Sequence, residues 1–205
     1  MNGKSKMLRL FAIASILGLS GFGLAATPAG AATAPADAAD AADAAGVQHA
    51  SASFSPHTGK AERIDATHIH NFNSLLCLGI KGGNVSAPAV QWNCVNHGDQ
   101  LWRTGKQIRD GYYQIINNDN RCMGVQGGST REGAAVVGWK CLGTSHPDQY
   151  WQIEGGTCYG VSGYFMLKNY KSHYVVGVAG NSGRVGAAIV QWRDRGLCNN
   201  QVWFG

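Results

Sequence analysis

Three tryptophans recur in one local pattern, Val90-Gln91-Trp92, Val137-Gly138-Trp139 and Val190-Gln191-Trp192. Each is followed a few residues later by a short polar side chain, Asp99, Asp148 or Asn200. A flat indole offers an apolar face, and a carboxylate or amide near it offers hydrogen bonds. That combination suits binding rather than bond cleavage. His68 and His70 lie two apart on an alternating segment and so share a strand face, as a metal pair would. Zinc takes three or four protein ligands, however, and no acidic or Cys partner is evident beside them. They are read as solvated strand residues, with no metal and no cofactor expected. No Gly-x-Ser-x-Gly, His-Glu-x-x-His or phosphate loop occurs. A glycosidase pair of carboxylates would have to be assembled by folding alone, so no catalytic residue is assigned and enzymatic activity is not expected.

These residues sit in a triplicated frame. The first copy runs from Cys77-Leu78-Gly79-Ile80 to Gln100-Leu101-Trp102, the second from Cys122-Met123-Gly124-Val125 to Gln149-Tyr150-Trp151, and the third from Val175-Val176-Gly177-Val178 to Gln201-Val202-Trp203. The closing Gln residues are 49 and 52 positions apart, and the spacing from Gly to the outer Trp is 13, 15 and 15. A period near fifty means three copies of one unit, spanning about 62–107, 108–157 and 158–205. Alternating segments such as Tyr112 to Ile115 and Tyr164 to Leu167 lead into polar turn residues (Asn71 to Ser74, Asn117 to Asn120, Asn169 to Ser172), then Gly-rich turns and Val-x-Trp strands. Four short strands per copy give about twelve in all, an all-β chain without a convincing amphipathic helix. The 29 glycines fit so many tight turns. If Trp102, Trp151 and Trp203 point inward from equivalent strands they meet at a threefold axis, each burial worth about 1.5–3 kcal/mol. Gln100, Gln149 and Gln201, two residues earlier, share that face. A buried amide needs backbone partners, which makes these residues structural.

Residues 1–31 read as a secretory signal peptide: Lys4, Lys6 and Arg9, an apolar run from Leu10 to Leu24, and the small-x-small site Ala29-Gly30-Ala31. The stretch 32–61 is rich in Ala and Asp, with only Val47 and Phe54 bulky and apolar, and is expected to be a disordered linker. Residues 62–205 suit one domain. They carry 13 Lys or Arg against 9 Asp or Glu, scattered rather than striped, so a nucleic-acid surface is not expected. No membrane association is expected once the leader is removed. All six cysteines lie in this domain, an even count that behind a signal peptide implies a disulfide framework. Spacing alone does not fix connectivity. Because Cys77 and Cys94 hold the same slots as Cys122 and Cys141, each pair is expected to close within its repeat, leaving Cys158 and Cys198 to each other.

Three Gln-x-Trp motifs in register, with a Cys-Leu-x-Ile/Val run and Trp-x-Cys elements before them, resemble the ricin B-type lectin repeat, of the secreted bacterial kind. The resemblance covers about Arg63 to Gly205 and implies a β-trefoil, a pseudo-threefold barrel capped by hairpins. It also implies that Trp92, Trp139 and Trp192 stack on the C–H face of a sugar, while Asp99, Asp148 and Asn200 bond its hydroxyls. The family has Asn at that last position, so the third repeat matches and the first two offer a carboxylate. A sharper departure is Gly79, Gly124 and Gly177, where the family has the Asp of Cys-Leu-Asp-Val. The familiar galactose-type site is therefore not expected in unaltered form. The resemblance points to a secreted, monomeric, non-catalytic protein whose partner is a polysaccharide or other glycan, with one to three shallow sites. The alternative is a trefoil scaffold that binds a protein partner, as an inhibitor does, without lectin activity.

Overall fold

A computed structural model describes residues 52–56, 63–109 and 111–205. The expected signal peptide, and the linker apart from residues 52–56, lie outside the described residues. Short β-branched and aromatic runs separated by Gly and Asn form fourteen strands among the described residues. They are β1 (Ser55–Pro56), β2 (Thr67–His68), β3 (His70–Asn71), β4 (Cys77–Ile80), β5 (Ala89–Trp92), β6 (Leu101–Arg109) and β7 (Tyr112–Asn117), then β8 (Arg121–Val125), β9 (Val136–Lys140), β10 (Tyr150–Cys158), β11 (Val161–Asn169), β12 (Val175–Val178), β13 (Ile189–Trp192) and β14 (Trp203–Phe204).

Pairing runs antiparallel from β2 through β6, β7, β10, β11 and β14 to β3, and β2 and β3 are the two halves of one strand interrupted at Ile69. The ring closes through Thr67 opposite Trp102 and Trp203 opposite Asn71. Closure leaves the six-membered barrel without a free edge. Three hairpins, β4–β5, β8–β9 and β12–β13, are related by the same pseudo-threefold symmetry. Backbone bonds link them cyclically: Gln91 N–H donates to Ala187 O, Gly138 N–H to Ala87 O, and Gln191 N–H to Ala134 O. The fold is a β-trefoil.

Trp102, Trp151 and Trp203 are fully buried, and their indole N–H groups donate to Leu78, Met123 and Val176 carbonyls at 2.8, 2.9 and 3.1 Å. Equivalent residues surround them in layers, such as Ile69, Ile115 and Leu167, or Ile80, Val125 and Val178. A buried indole without a partner for its N–H would be costly, so the carbonyl fixes each ring's orientation as well as its depth. Disulfides join Cys77 to Cys94, Cys122 to Cys141 and Cys158 to Cys198.

One expectation needs correction. Residues 52–56, inside the stretch read as linker, are part of the folded body: β1 pairs with Thr157 and Gly156 of β10, and Phe54 is 8% exposed. The reason is a second apolar cluster on the barrel wall, formed by Cys158, Cys198, Met166, Val175 and Val202, which gives that single aromatic something to cover. Asn71, Asn117 and Asn169 open the turns as expected, their carbonyls accepting from Leu75, Asn120 and His173 N–H, and they are fully buried. Their side-chain oxygens accept backbone N–H groups of the turns that follow, from Asn73, Arg121 and Lys171. Their amide nitrogens donate to the carbonyls of Asn200, Asp99 and Asp148.

Candidate functional site

Cross-strand register places Trp92 opposite Cys77, Trp139 opposite Cys122 and Trp192 opposite Val175, so each outer indole belongs to the returning strand of a hairpin. Trp92 is 44% exposed, Trp139 is 39% exposed and Trp192 is half-buried. The rings lie at seams between repeats. A methyl group at Gly186 would come within 3.2 Å of the Trp92 ring, and one at Gly133 within 3.1 Å of Trp192. Both glycines have positive φ, 83° and 77°, and the shorter first loop places Ser86, with φ 62°, in the same slot, where it lines the recess beside Trp139.

The glycines that replace the expected Asp are filled over by the neighbouring polar side chains. A Cβ at Gly79 would stand 2.9 Å from an Asp99 oxygen, one at Gly124 3.5 Å from Asp148, and one at Gly177 3.4 Å from the Asn200 amide. The three hooks differ in what they already hold. Asp99 accepts from the backbone N–H of Ile80 at 3.2 Å and from His97 Nδ1 at 2.6 Å. Asn200 donates to Val178 O at 2.6 Å. The Asp148 carboxylate has no hydrogen-bond partner among the described residues. It opens instead on a recess of about 550 Å³ bounded by Trp139, Gly127, Gly128, His146 and Lys171. A second depression, about 460 Å³ at the barrel mouth near Arg63, Ile153 and Phe165, carries no exposed indole.

Gln100 and Gln149 end short 3₁₀ turns rather than lying in strands. With Gln201 they turn their amides to the chain just after the outer Trp, not to the barrel axis. Their oxygens accept from Val95, Leu142 and Arg195 N–H, and their nitrogens donate to Asn93, Lys140 and Arg193 carbonyls. These six bonds set the path between each indole and its hook.

His70 Nδ1 stands 3.5 Å from both Cys77 and Cys94 sulfurs, so a Cys does lie beside the His pair. That sulfur is in a disulfide and offers no thiolate. His97, Asp99 and Asp119 bring an imidazole and two carboxylates within 4.8 Å of one another, which makes the first repeat's equivalent of the recess acidic.

Sequence reasoning missed the residue two positions after each buried Asn. Asp119, Lys171 and Asn73 each extend to the Gly-rich turn of the preceding repeat: Asp119 against Gly83, Lys171 donating to Gly128 O, and Asn73 donating to Asn181 at 2.9 Å. The signal was present, since the spacing Asn71 to Asn73, Asn117 to Asp119 and Asn169 to Lys171 repeats with the period.

The profile of the ricin-type β-trefoil lectin domain matches residues 65–203. The chain belongs to the ricin-type β-trefoil lectin family. This ricin-type trefoil is similar to the designed threefold-symmetric protein ThreeFoil, with a TM-score of 0.59 and 24% identity over 67% of this chain and 94% of that one. It is similar to 1,3Gal43A, an exo-β-1,3-galactanase from Clostridium thermocellum, with a TM-score of 0.59 and 25% identity over 72% of this chain and 30% of that one. For the hemolytic lectin CEL-III the TM-score is 0.55 and the identity 22%, over 72% of this chain and 31% of that one. The ricin-type chain thus spans less than a third of the galactanase and of the hemolytic lectin. No curated protein sequence matches it. These structural likenesses concern the shared trefoil.

Proposed function

We propose that this protein is a secreted, monomeric, non-catalytic carbohydrate-binding protein and that its second repeat carries the working site. Membership of a lectin family supports a glycan as the ligand. The observation that carries the choice of repeat is the Asp148 carboxylate. It is the hook whose side chain has no hydrogen-bond partner among the described residues, and it shares an open recess with the exposed Trp139. A pyranose stacks its C–H face on that indole while a hydroxyl donates to Asp148. Asp99 already accepts from Ile80 N–H and His97, and Asn200 already donates to Val178 O, so each has less hydrogen-bonding capacity left for a sugar than Asp148. The three disulfides suit an oxidising, extracellular setting.

Affinity electrophoresis through a panel of polysaccharides, backed by a glycan array, tests this reading. Retardation of the wild-type protein that is lost in Trp139→Ala and kept in the Trp92→Ala/Trp192→Ala double variant is the expected result. Retention by Trp139→Ala would move the site elsewhere. Capture of a protein from culture supernatant with no glycan retention would favour the scaffold alternative.

A further inference from the structure

We propose that Lys171, contributed by the third repeat, sets the selectivity of the second-repeat site, restricting it to uncharged sugars that present two neighbouring hydroxyls. The inference rests on the reading of Trp139 and Asp148 as the working site. One slot of the repeat takes three chemical states. At the first seam the rim residue is Asp119 and the hook is Asp99, so two carboxylates face each other with His97. At the third seam the rim residue Asn73 donates to Asn181 and the hook Asn200 donates to Val178 O, so neither residue brings a charge to the seam. Only the second seam sets a cation, Lys171, beside an unengaged anion, Asp148, in the same recess.

The two groups are close but not interchangeable. A methyl group placed on Gly128 would have the Lys171 nitrogen at 3.0 Å and an Asp148 oxygen at 3.4 Å, so both stand against that glycine. Gly128 has φ 61°, a conformation that a side chain adopts only with strain. A side chain there would also displace the ammonium. One N–H of Lys171 is held by the Gly128 carbonyl, which fixes the head group while two donors stay free. An ionised Asp only accepts and Lys only donates. One sugar hydroxyl therefore donates to Asp148 and its neighbour accepts from Lys171, an arrangement that a vicinal diol satisfies. A uronate or sulfate would meet the Asp148 charge in a recess whose two formal charges cancel, and gains nothing net from Lys171.

The test is a ligand–protein cycle on the full-length protein, read by tryptophan fluorescence titration. The probes are the methyl glycosides of glucose, galactose and mannose, their monodeoxy counterparts, and methyl glucuronide. For the glycoside that binds best, Lys171→Gln should weaken binding about tenfold. One monodeoxy sugar should lose a similar factor with the wild type and nothing further with Lys171→Gln, because the contact is already gone. Lys171→Glu, which recreates the paired carboxylates of the first seam, should abolish binding. Unchanged affinity in Lys171→Gln, or tighter binding of the glucuronide than of every neutral glycoside, would overturn the proposal. If binding depends on Trp139 but ignores Lys171, this inference fails and the proposed function stands. If no glycoside binds the wild type, or Trp139→Ala binds as well as the wild type, both fail.

Discussion

The side-chain amide of Gln191 donates to the carbonyl of Arg131 at 2.8 Å, tying the third hairpin to the loop of the second. The same amide donates to Ser129 O, and its oxygen accepts from the Ser172 hydroxyl at 2.7 Å. Gln91 repeats this with Ser182, Arg184 and Ser74. The second repeat does not, because Gly138 stands in the slot and Ile80 fills the space, 2.8 Å from where a Cβ would lie. The loop that Gly138 faces is the one two residues shorter, so it lacks the carbonyls that a glutamine would bind. Gln191→Ala leaves two carbonyls and a hydroxyl without this partner. It should lower stability by about 2–3 kcal/mol, read as a reduced urea midpoint at constant slope.

Restoring the family's Asp should not restore a family site. A Cβ at position 124 would already lie 3.1 Å from Gln149 and 3.5 Å from Asp148. Gly124→Asp therefore crowds the buried glutamine and sets a second carboxylate against the first. The expected outcome is loss of glycan retention together with a lower melting temperature. Tighter binding in this variant would refute the account of the seam.

Acid should weaken the link between the second and third repeats. Glu132 is held below the ordinary carboxylate range chiefly by the hydrogen bond from the Arg193 guanidinium, which donates from Nε and a terminal nitrogen at 2.6 Å each. A depressed value means that stabilisation is present above the unfolded-state value and disappears as pH falls through the folded one. Arg193 is largely exposed, so the contribution is at most about 1 kcal/mol. In wild type, urea midpoints measured downward from pH 6 should decline through this range, and Glu132→Gln should decline less. Parallel profiles would remove the pair from the account.

Tyr150 presents the opposite case. It is fully buried, its hydroxyl has no hydrogen-bond partner among the described residues, and burial pushes its ionisation above the usual tyrosine range. Tyr150→Phe deletes an unsatisfied polar atom and should be neutral or stabilising by up to about 1 kcal/mol. The sign with pH also follows. The unfolded chain ionises this phenol first, so wild-type stability falls as pH rises through the unfolded-state value, and the variant should lose less there. A destabilised Tyr150→Phe would reveal a partner for the hydroxyl.

Much of this was legible along the chain because it depends on period and residue type. Spacing near fifty, the Gln-x-Trp endings and two matched Cys pairs specify a triplicated β unit, since a strand, a tight turn and a local disulfide are short-range objects. The inward tryptophans follow as well, because equivalent positions in three copies of one unit are brought to the same centre. What the sequence could not rank was its three outer tryptophans and their hooks. Asp99 and Asp148 are the same residue in the same slot, and what separates them is which groups come within reach after folding.

The tertiary structure alone decided the rest, since those facts join residues from different repeats. Phe54 gained its place in the fold from a cluster made by Cys158, Met166, Val175, Cys198 and Val202, none of which is near it in sequence. Asn169 became a buried tie to Asp148, and Lys171, two residues on, became the rim of the recess that Trp139 borders. Chain order fixes what each repeat contains. Closure of the barrel brings the end of one repeat against the start of the next, and the proposed site lies at that junction.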